Sequence, residues 1–170
     1  MKNNKGKNNL PKRKATRLKG HNYTSQHIYF ITTCTHSHKQ IFKNNSAAQN
    51  ALRNVFESAK KTSIEILVVC IMPDHIHFLL RPIGQFSTDD FMRNFKGKTA
   101  HLLIKSGFKS PVWQRSYYDH IVRKEENINE LISYILYNPV RKELVDSFEK
   151  YPWSWDAFNI IESTKRQREE

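Results

Sequence analysis

The 170-residue sequence predicts an α+β protein organised on an antiparallel sheet, and three observations lead to that class. Segments 29–35, 64–72 and 75–82 are rich in β-branched and aromatic residues, while other stretches carry apolar residues at helical spacing. Only Pro73 and Asp74 separate the second segment from the third, too few residues for the crossover that parallel strands need, so these two pair antiparallel in mid-sheet. The length and a hydrophobic content of 38% fit one domain with a real core.

Residues 1–20 are rich in Lys, Arg and Asn with almost nothing apolar, so they cannot bury enough surface to offset the entropy of ordering. A flexible basic arm is expected there, followed by one folded domain over 21–162 and a closing tail over 163–170 that frays. Lys and Arg outnumber Asp and Glu by 28 to 16, giving a net charge of +12 and a pI near 9.8. That excess favours a polyanionic partner, nucleic acid ahead of membrane, and it supplies affinity without specifying a reaction. The longest apolar run falls far short of the roughly 20 residues of a membrane span. The N-terminus is too polar for a signal peptide, so a cytoplasmic, nucleoid-associated location is expected. Cys34 and Cys70 lie in strand-like apolar runs, outside any Cys-x-x-Cys pair, and are expected as buried free thiols.

The first strand covers 29–35. Ser46 can cap a helix whose Ala48, Leu52, Val55, Phe56 and Ala59 recur at helical spacing to about Lys61. Ser87 with Asp89 and Asp90 reads as the start of a second helix, in which Phe91, Met92, Phe95, Leu102 and Leu103 form an apolar stripe that ends at Gly107. Arg93, Lys96, Lys98 and Lys105 stand between those apolar positions, as a solvated face or a nucleic-acid contact. From Trp113 to Arg123 the chain reads as a loop and a short strand, with Trp113, Tyr117 and Tyr118 beside Arg115 and Arg123; these aromatics stack bases or fill the core. The candidate DNA contacts are therefore Arg13, Lys14, Arg17, Lys19, Arg93, Lys96, Lys98, Arg115 and Arg123.

Chemistry concentrates in two places. Alternation on the strand after Pro73-Asp74 sends His75, His77, Leu79 and Arg81 to one face and Ile76, Phe78 and Leu80 to the other. If the second set is core, the imidazoles stand roughly 6–7 Å apart at Cα and can share one metal ion, although two surface histidines give the same pattern. His36-Ser37-His38 is a second such pair, in a polar loop that presents it less rigidly. The other place is a helix over 127–138, where Ile128, Leu131, Ile132, Ile135 and Leu136 form a nearly complete stripe and Pro139 discourages continuation. At about 100° per residue Tyr137 falls opposite the stripe, whereas Tyr134 and Asn138 share one of its borders, half packed and half open. A tyrosine at such a border can simply snorkel, or it can act in a cleft beside the sheet. Two imidazoles and an amide oxygen could hold a divalent ion against a phosphate oxygen while the tyrosine hydroxyl attacks phosphorus. One phosphodiester is exchanged for another, so no nucleotide cofactor is needed, and the chain has no Gly-rich phosphate loop among its five glycines.

These residues resemble the HUH superfamily of single-strand DNA nucleases, and within it the IS200-like single-tyrosine transposases and the REP-associated tyrosine transposases. The motifs that carry the resemblance are Arg17-Leu18-Lys19-Gly20, Tyr29-Phe30-Ile31-Thr32, Met72-Pro73-Asp74-His75-Ile76-His77, Trp113-Gln114-Arg115, Asp119-His120-Ile121-Val122-Arg123 and Tyr134-Ile135-Leu136-Tyr137-Asn138-Pro139-Val140. The resemblance implies a ferredoxin-like antiparallel sheet of four to five strands with helices on its faces. It also implies His75, His77 and Asn138 as ligands of Mg²⁺ or Mn²⁺, and Tyr134 as nucleophile. The implied substrate is single-stranded DNA bearing hairpins, REP-like or at insertion-sequence ends, cleaved to a 5′-phosphotyrosine and a free 3′-hydroxyl by a monomer or homodimer. A domesticated, non-catalytic protein that binds REP-like hairpins is the alternative, and an RNA-directed protein a further one. Glu143 departs from the family pattern, standing where relatives have Gly, which costs about 1 kcal/mol if that backbone needs φ > 0. Trp155 also departs, replacing a small residue, as does the 36–39 stretch, where an Arg is common. His120 and Tyr118 could join the pocket from the strand after Trp113.

Overall fold

The computed structural model describes residues 27–169, in which five strands make one antiparallel sheet. They are β1 (Tyr29–Cys34), β2 (Ile64–Ile71), β3 (His75–Pro82), β4 (Tyr118–Ile121) and β5 (Ser154–Asp156), in the spatial order β4-β1-β3-β2-β5. β3 is therefore central, paired on one side with β1 (Thr32 opposite His77, Cys34 opposite His75) and on the other with β2 (Cys70 opposite His77). Both of its edges are hydrogen-bonded, which fixes the direction of every side chain it carries.

The two faces divide as the alternation predicts. Ile76, Phe78 and Leu80 join Tyr29, Ile31, Val69 and Ile71 in a core covered by α1 (Asn45–Thr62) and α2 (Thr88–Lys105). Leu79 faces the other way, into a second core with Val68, Cys70, Phe148 and Tyr151 beneath α3 (Ile128–Leu136). The pairing of β2 with β3 shifts between Ile66 and Val68, and Leu67 and Val68 both enter that second core. The face with the histidines is thus the one that α3 packs on, and it is only partly roofed.

Helix boundaries follow local chemistry with two corrections to expectation. Asn44, not Ser46, caps α1: its backbone is extended and its side chain accepts from the Ala47 N–H at 3.0 Å. Both residue types cap well, and the backbone break at Asn44 decides between them. α2 starts as expected, with Ser87 and Asp90 in a reciprocal capping box. The helix expected through Asn138 instead ends at Leu136; Tyr137 links it to a short α4 (Asn138–Arg141) with Pro139 in its first turn. Pro139 has no N–H to return to the Ile135 carbonyl, so α3 cannot run on through it, whereas the opening of a new helix tolerates it.

β5 and α5 (Ile160–Glu169) leave no clear pattern in the sequence. β5 is three residues long, too short for alternation to register, and α5 is anchored by the Asp156 carboxylate, which accepts from the Phe158, Ile160 and Ile161 N–H groups. Trp155 lies on β5, its ring edge-on to Phe56 at 4.9 Å. Cys34 and Cys70 are free; Cys70 is buried, but Cys34 is only half-buried. No helix of the described residues is long and apolar enough to cross a membrane.

Glu143 has φ 54°, in the left-handed region that favours glycine. Glu143→Gly should raise unfolding free energy by about 1 kcal/mol, read from the midpoint of a urea titration.

Candidate active site

The turn before β3 is pinned at both its residues. Asp74 O accepts from the Thr35 N–H at 2.9 Å and from the Thr35 hydroxyl at 3.0 Å, and Pro73 O accepts from the Phe42 N–H at 2.9 Å. His75 and His77 leave this turn on one face, as strand alternation requires. Each ring is then oriented through its Nδ1: His75 Nδ1 lies 2.6 Å from Asp74 Oδ1, and His77 Nδ1 lies 2.8 Å from Thr32 Oγ1. The two Nε2 atoms face each other at 3.1 Å. Across the cleft the Asn138 amide reaches His77 Nε2 at 2.7 Å, and Asn138 is buried.

Three polar groups therefore converge on one point. Asp74 can only accept, so His75 gives it Nδ1–H and turns its Nε2 toward His77. Burial first, then repulsion from His75 and Arg141, pushes the His77 imidazolium pKa down to about 3, so His77 is neutral near pH 7. Hydrogen bonds from His75 and His38 outweigh burial and hold Asp74 below the usual carboxylate range. Two nitrogens bound cis to one octahedral ion at about 2.1 Å lie about 3 Å apart, close to the separation found. An amide can turn its oxygen to the same point. The donor set therefore fits a divalent cation and leaves positions for oxygen ligands. Among the described residues no cluster of three His, Cys, Asp or Glu side chains could hold an ion; the third donor here is an amide.

Tyr134 stands at the rim of this cluster, 46% exposed. Its ring meets His77 edge-on at 5.7 Å and Phe30 at 6.0 Å, and Phe30 in turn stacks on His77 at 5.6 Å. Tyr137, equally exposed, turns away and packs on Phe148 at 4.8 Å. The helix border inferred from the sequence thus brings Tyr134 to the histidines and leaves Tyr137 out, whereas Asn138 reaches them from the start of α4 and not from the border of α3.

Other candidates divide. His38 is no part of the donor cluster: its Nδ1 contacts Asp74 Oδ2 at 3.1 Å and its Nε2 lies 3.2 Å from Gln114 Nε2, so it supports the carboxylate that orients His75. His120 is paired with Glu126 at 2.7 Å, while Tyr118 reaches the rim, edge-on to Phe30 at 6.3 Å and half exposed. Arg93, Lys96 and Arg115 gather round one shallow pocket. Within it Lys96 donates to Gln114 O at 2.7 Å and holds the Trp113 loop, and Arg93 pairs with Asp90 at 3.0 Å. Lys98 is ion-paired with Glu57, and Arg123 is exposed. Arg13, Lys14, Arg17 and Lys19 lie outside the described residues. Sequence reasoning misses Thr32, Phe30 and Arg141 as parts of the site. The alternation of β1 offers Phe30 and Thr32, but only register with β3 selects them.

The neutrality of His77 has a measurable consequence. Between its ordinary 6.5 and about 3 the unfolded chain protonates this residue and the folded chain does not, so stability falls as pH drops through that window. In chelator, going from pH 7 to about pH 4.5 should cost the wild type up to about 2–3 kcal/mol more than His77→Gln, measured by denaturant unfolding.

Comparison with known proteins agrees with the fold and extends over most of the chain. Residues 23–138 match the family described as Transposase IS200 like. A Haemophilus influenzae protein carrying the provisional name REP-associated tyrosine transposase is 30% identical over 119 residues, covering 59% of this chain and 66% of its own. The REP-associated tyrosine transposase of Escherichia coli is 26% identical over 91 residues, 53% of either chain. The matches thus span about half to two-thirds of those relatives. A solved REP-associated tyrosine transposase bound to a REP hairpin shares the fold with a TM-score of 0.69 at 20% identity, covering 86% of this chain and 84% of that one. With the matching segment running from before β1 to Asn138, the chain belongs to the IS200-like transposase family.

Proposed function

We propose that the protein is a metal-dependent, single-tyrosine DNA strand transferase that cleaves hairpin-bearing single strands. The observation that carries this reading is the convergence of His75 Nε2, His77 Nε2 and the Asn138 amide on one point beside the half-exposed Tyr134. His75, His77 and Asn138 are the residues that would hold Mg²⁺ or Mn²⁺, and a bound divalent ion supplies positive charge to a phosphate oxygen there. The remaining work falls to the chain. Tyr134 Oη forms a bond to phosphorus and loses its proton; the bond from phosphorus to the 3′-oxygen breaks, and that oxygen leaves as a 3′-hydroxyl. The product is a 5′-phosphotyrosine that conserves the phosphodiester for rejoining. Phe30 and His77 fix the Tyr134 ring from one side, so the hydroxyl is presented with little freedom left to lose. Hairpin DNA as substrate is supported by the REP hairpin bound to the solved relative and by the net charge of +12.

The test is a labelled hairpin oligonucleotide incubated with Mn²⁺ or Mg²⁺. The wild type should form a covalent adduct that maps to Tyr134 and disappears in Tyr134→Phe. An adduct that survives this substitution, or maps to Tyr118 or Tyr137, contradicts the assignment. His75→Ala and His77→Ala should each lose cleavage by at least about 100-fold while hairpin affinity changes less than about threefold, since phosphate contacts elsewhere dominate binding. Equal loss of binding and cleavage would make the histidines structural.

A further inference from the structure

The outer side of α3 and α4 forms an open groove of about 570 Å³ that runs past Tyr134 and Tyr137 and includes Arg141 and Asn129. The Arg141 guanidinium carbon lies 4.6 Å above the centre of the Tyr134 ring, and one Nη2–H donates to the Tyr134 carbonyl. Arg141 is exposed, yet these two contacts hold it in place. Its charge is also uncompensated. Arg53, Arg81 and Arg93 pair with Glu57, Glu65 and Asp90, whereas Arg141 has no carboxylate within ion-pair distance among the described residues. Glu130, the one carboxylate lining the groove, accepts from Asn127 Nδ2 at 3.2 Å. A guanidinium has five N–H donors in a planar fork; one is spent on the Tyr134 carbonyl, leaving the others for an anion. The ring it covers is the one that meets His77 at the donor cluster, so a phosphate approaching the hydroxyl of that ring comes within reach of the guanidinium.

We propose that Arg141 is a catalytic residue that binds a non-bridging oxygen of the phosphate attacked by Tyr134. This rests on the strand-transfer reading and adds a second source of positive charge to it, carried by α4 rather than by the histidine strand. As the Tyr134 oxygen bonds to phosphorus and the 3′-oxygen departs, charge builds on the non-bridging oxygens, and a fixed guanidinium stabilises that charge without having to reorganise. Lysine at 141 could supply the charge without the fork, so Arg141→Lys should retain part of the function.

The experiment compares two oligonucleotides, one natural and one with a methylphosphonate at the mapped scissile position, where one charged non-bridging oxygen is replaced by a neutral methyl group. On the natural strand Arg141→Ala should slow adduct formation by about 100–1,000-fold and Arg141→Lys by about tenfold. On the methylphosphonate strand, averaged over both stereoisomers, wild type and Arg141→Ala should differ by less than about threefold, since the charge that Arg141 stabilises is gone. Circular dichroism and thermal melts identify any variant that fails to fold, and Arg141→Lys then carries the comparison. An equal slowing on both strands, or none on the natural strand, overturns the assignment of Arg141 alone. Absence of any adduct with the wild type overturns the strand-transfer reading and this proposal with it.

Discussion

His77 sits at the centre of the sheet with its ring engaged on every side. One face stacks on Phe30, Nδ1 meets Thr32, and Nε2 is approached by His75 on its own strand and by Asn138 from another element. A side chain held this way is buried, neutral and unable to rotate, so its lone pair has a fixed direction. That direction comes from strand pairing: β3 is bonded on both sides, and a shift of one residue in register would send both histidines into the α1/α2 core. The turn before β3, tied through Asp74 O to Thr35 and through Pro73 O to Phe42, keeps His75 from fraying away from its partner.

The second half of the site depends on a break. Had α3 continued without interruption, Asn138 would have kept the orientation of the α3 helix. Instead Tyr137 ends one helix and Pro139 opens the next, and Asn138 is buried against His77 while Tyr134 remains half exposed. The same break places Arg141 one turn further on, where its guanidinium covers the Tyr134 ring. The Tyr134 hydroxyl, the Asn138 amide and the Arg141 guanidinium are thus fixed relative to each other by one short stretch of chain, and the second core beneath α3 fixes them relative to the histidines. Rigid helices and a central strand, rather than loops, carry the groups that must be placed accurately.

Much of this arrangement is legible in the sequence. Period-two alternation assigns both faces of β3 correctly, because one face of a paired strand must be apolar and Ile76, Phe78 and Leu80 mark it. Helical geometry separates Tyr134 from Tyr137 for the same kind of reason. Sheet order, by contrast, depends on contacts between distant segments, so the sequence selects neither Thr32 nor Phe30 as a neighbour of His77. Spacing alone offers His38 as a metal ligand, but its place beside Asp74 depends on the positive φ values of Ser37 and His38, which spacing does not reveal. Charge marks Lys96 and Lys98 as DNA contacts, yet charge on a helix does not say what is already bound to it, and both have partners within the protein. Glu143 is the converse case, a residue where a departure from pattern predicts a strained backbone that is indeed present.

That His75, His77 and Asn138 form one divalent-ion site is tested most directly by pulsed electron paramagnetic resonance of bound Mn²⁺ in protein labelled with ¹⁵N-histidine. Couplings to two histidine nitrogens, falling to one in His75→Ala, are the expected result. Manganese bound without any histidine nitrogen coupling, or with couplings unchanged in His75→Ala, would contradict it.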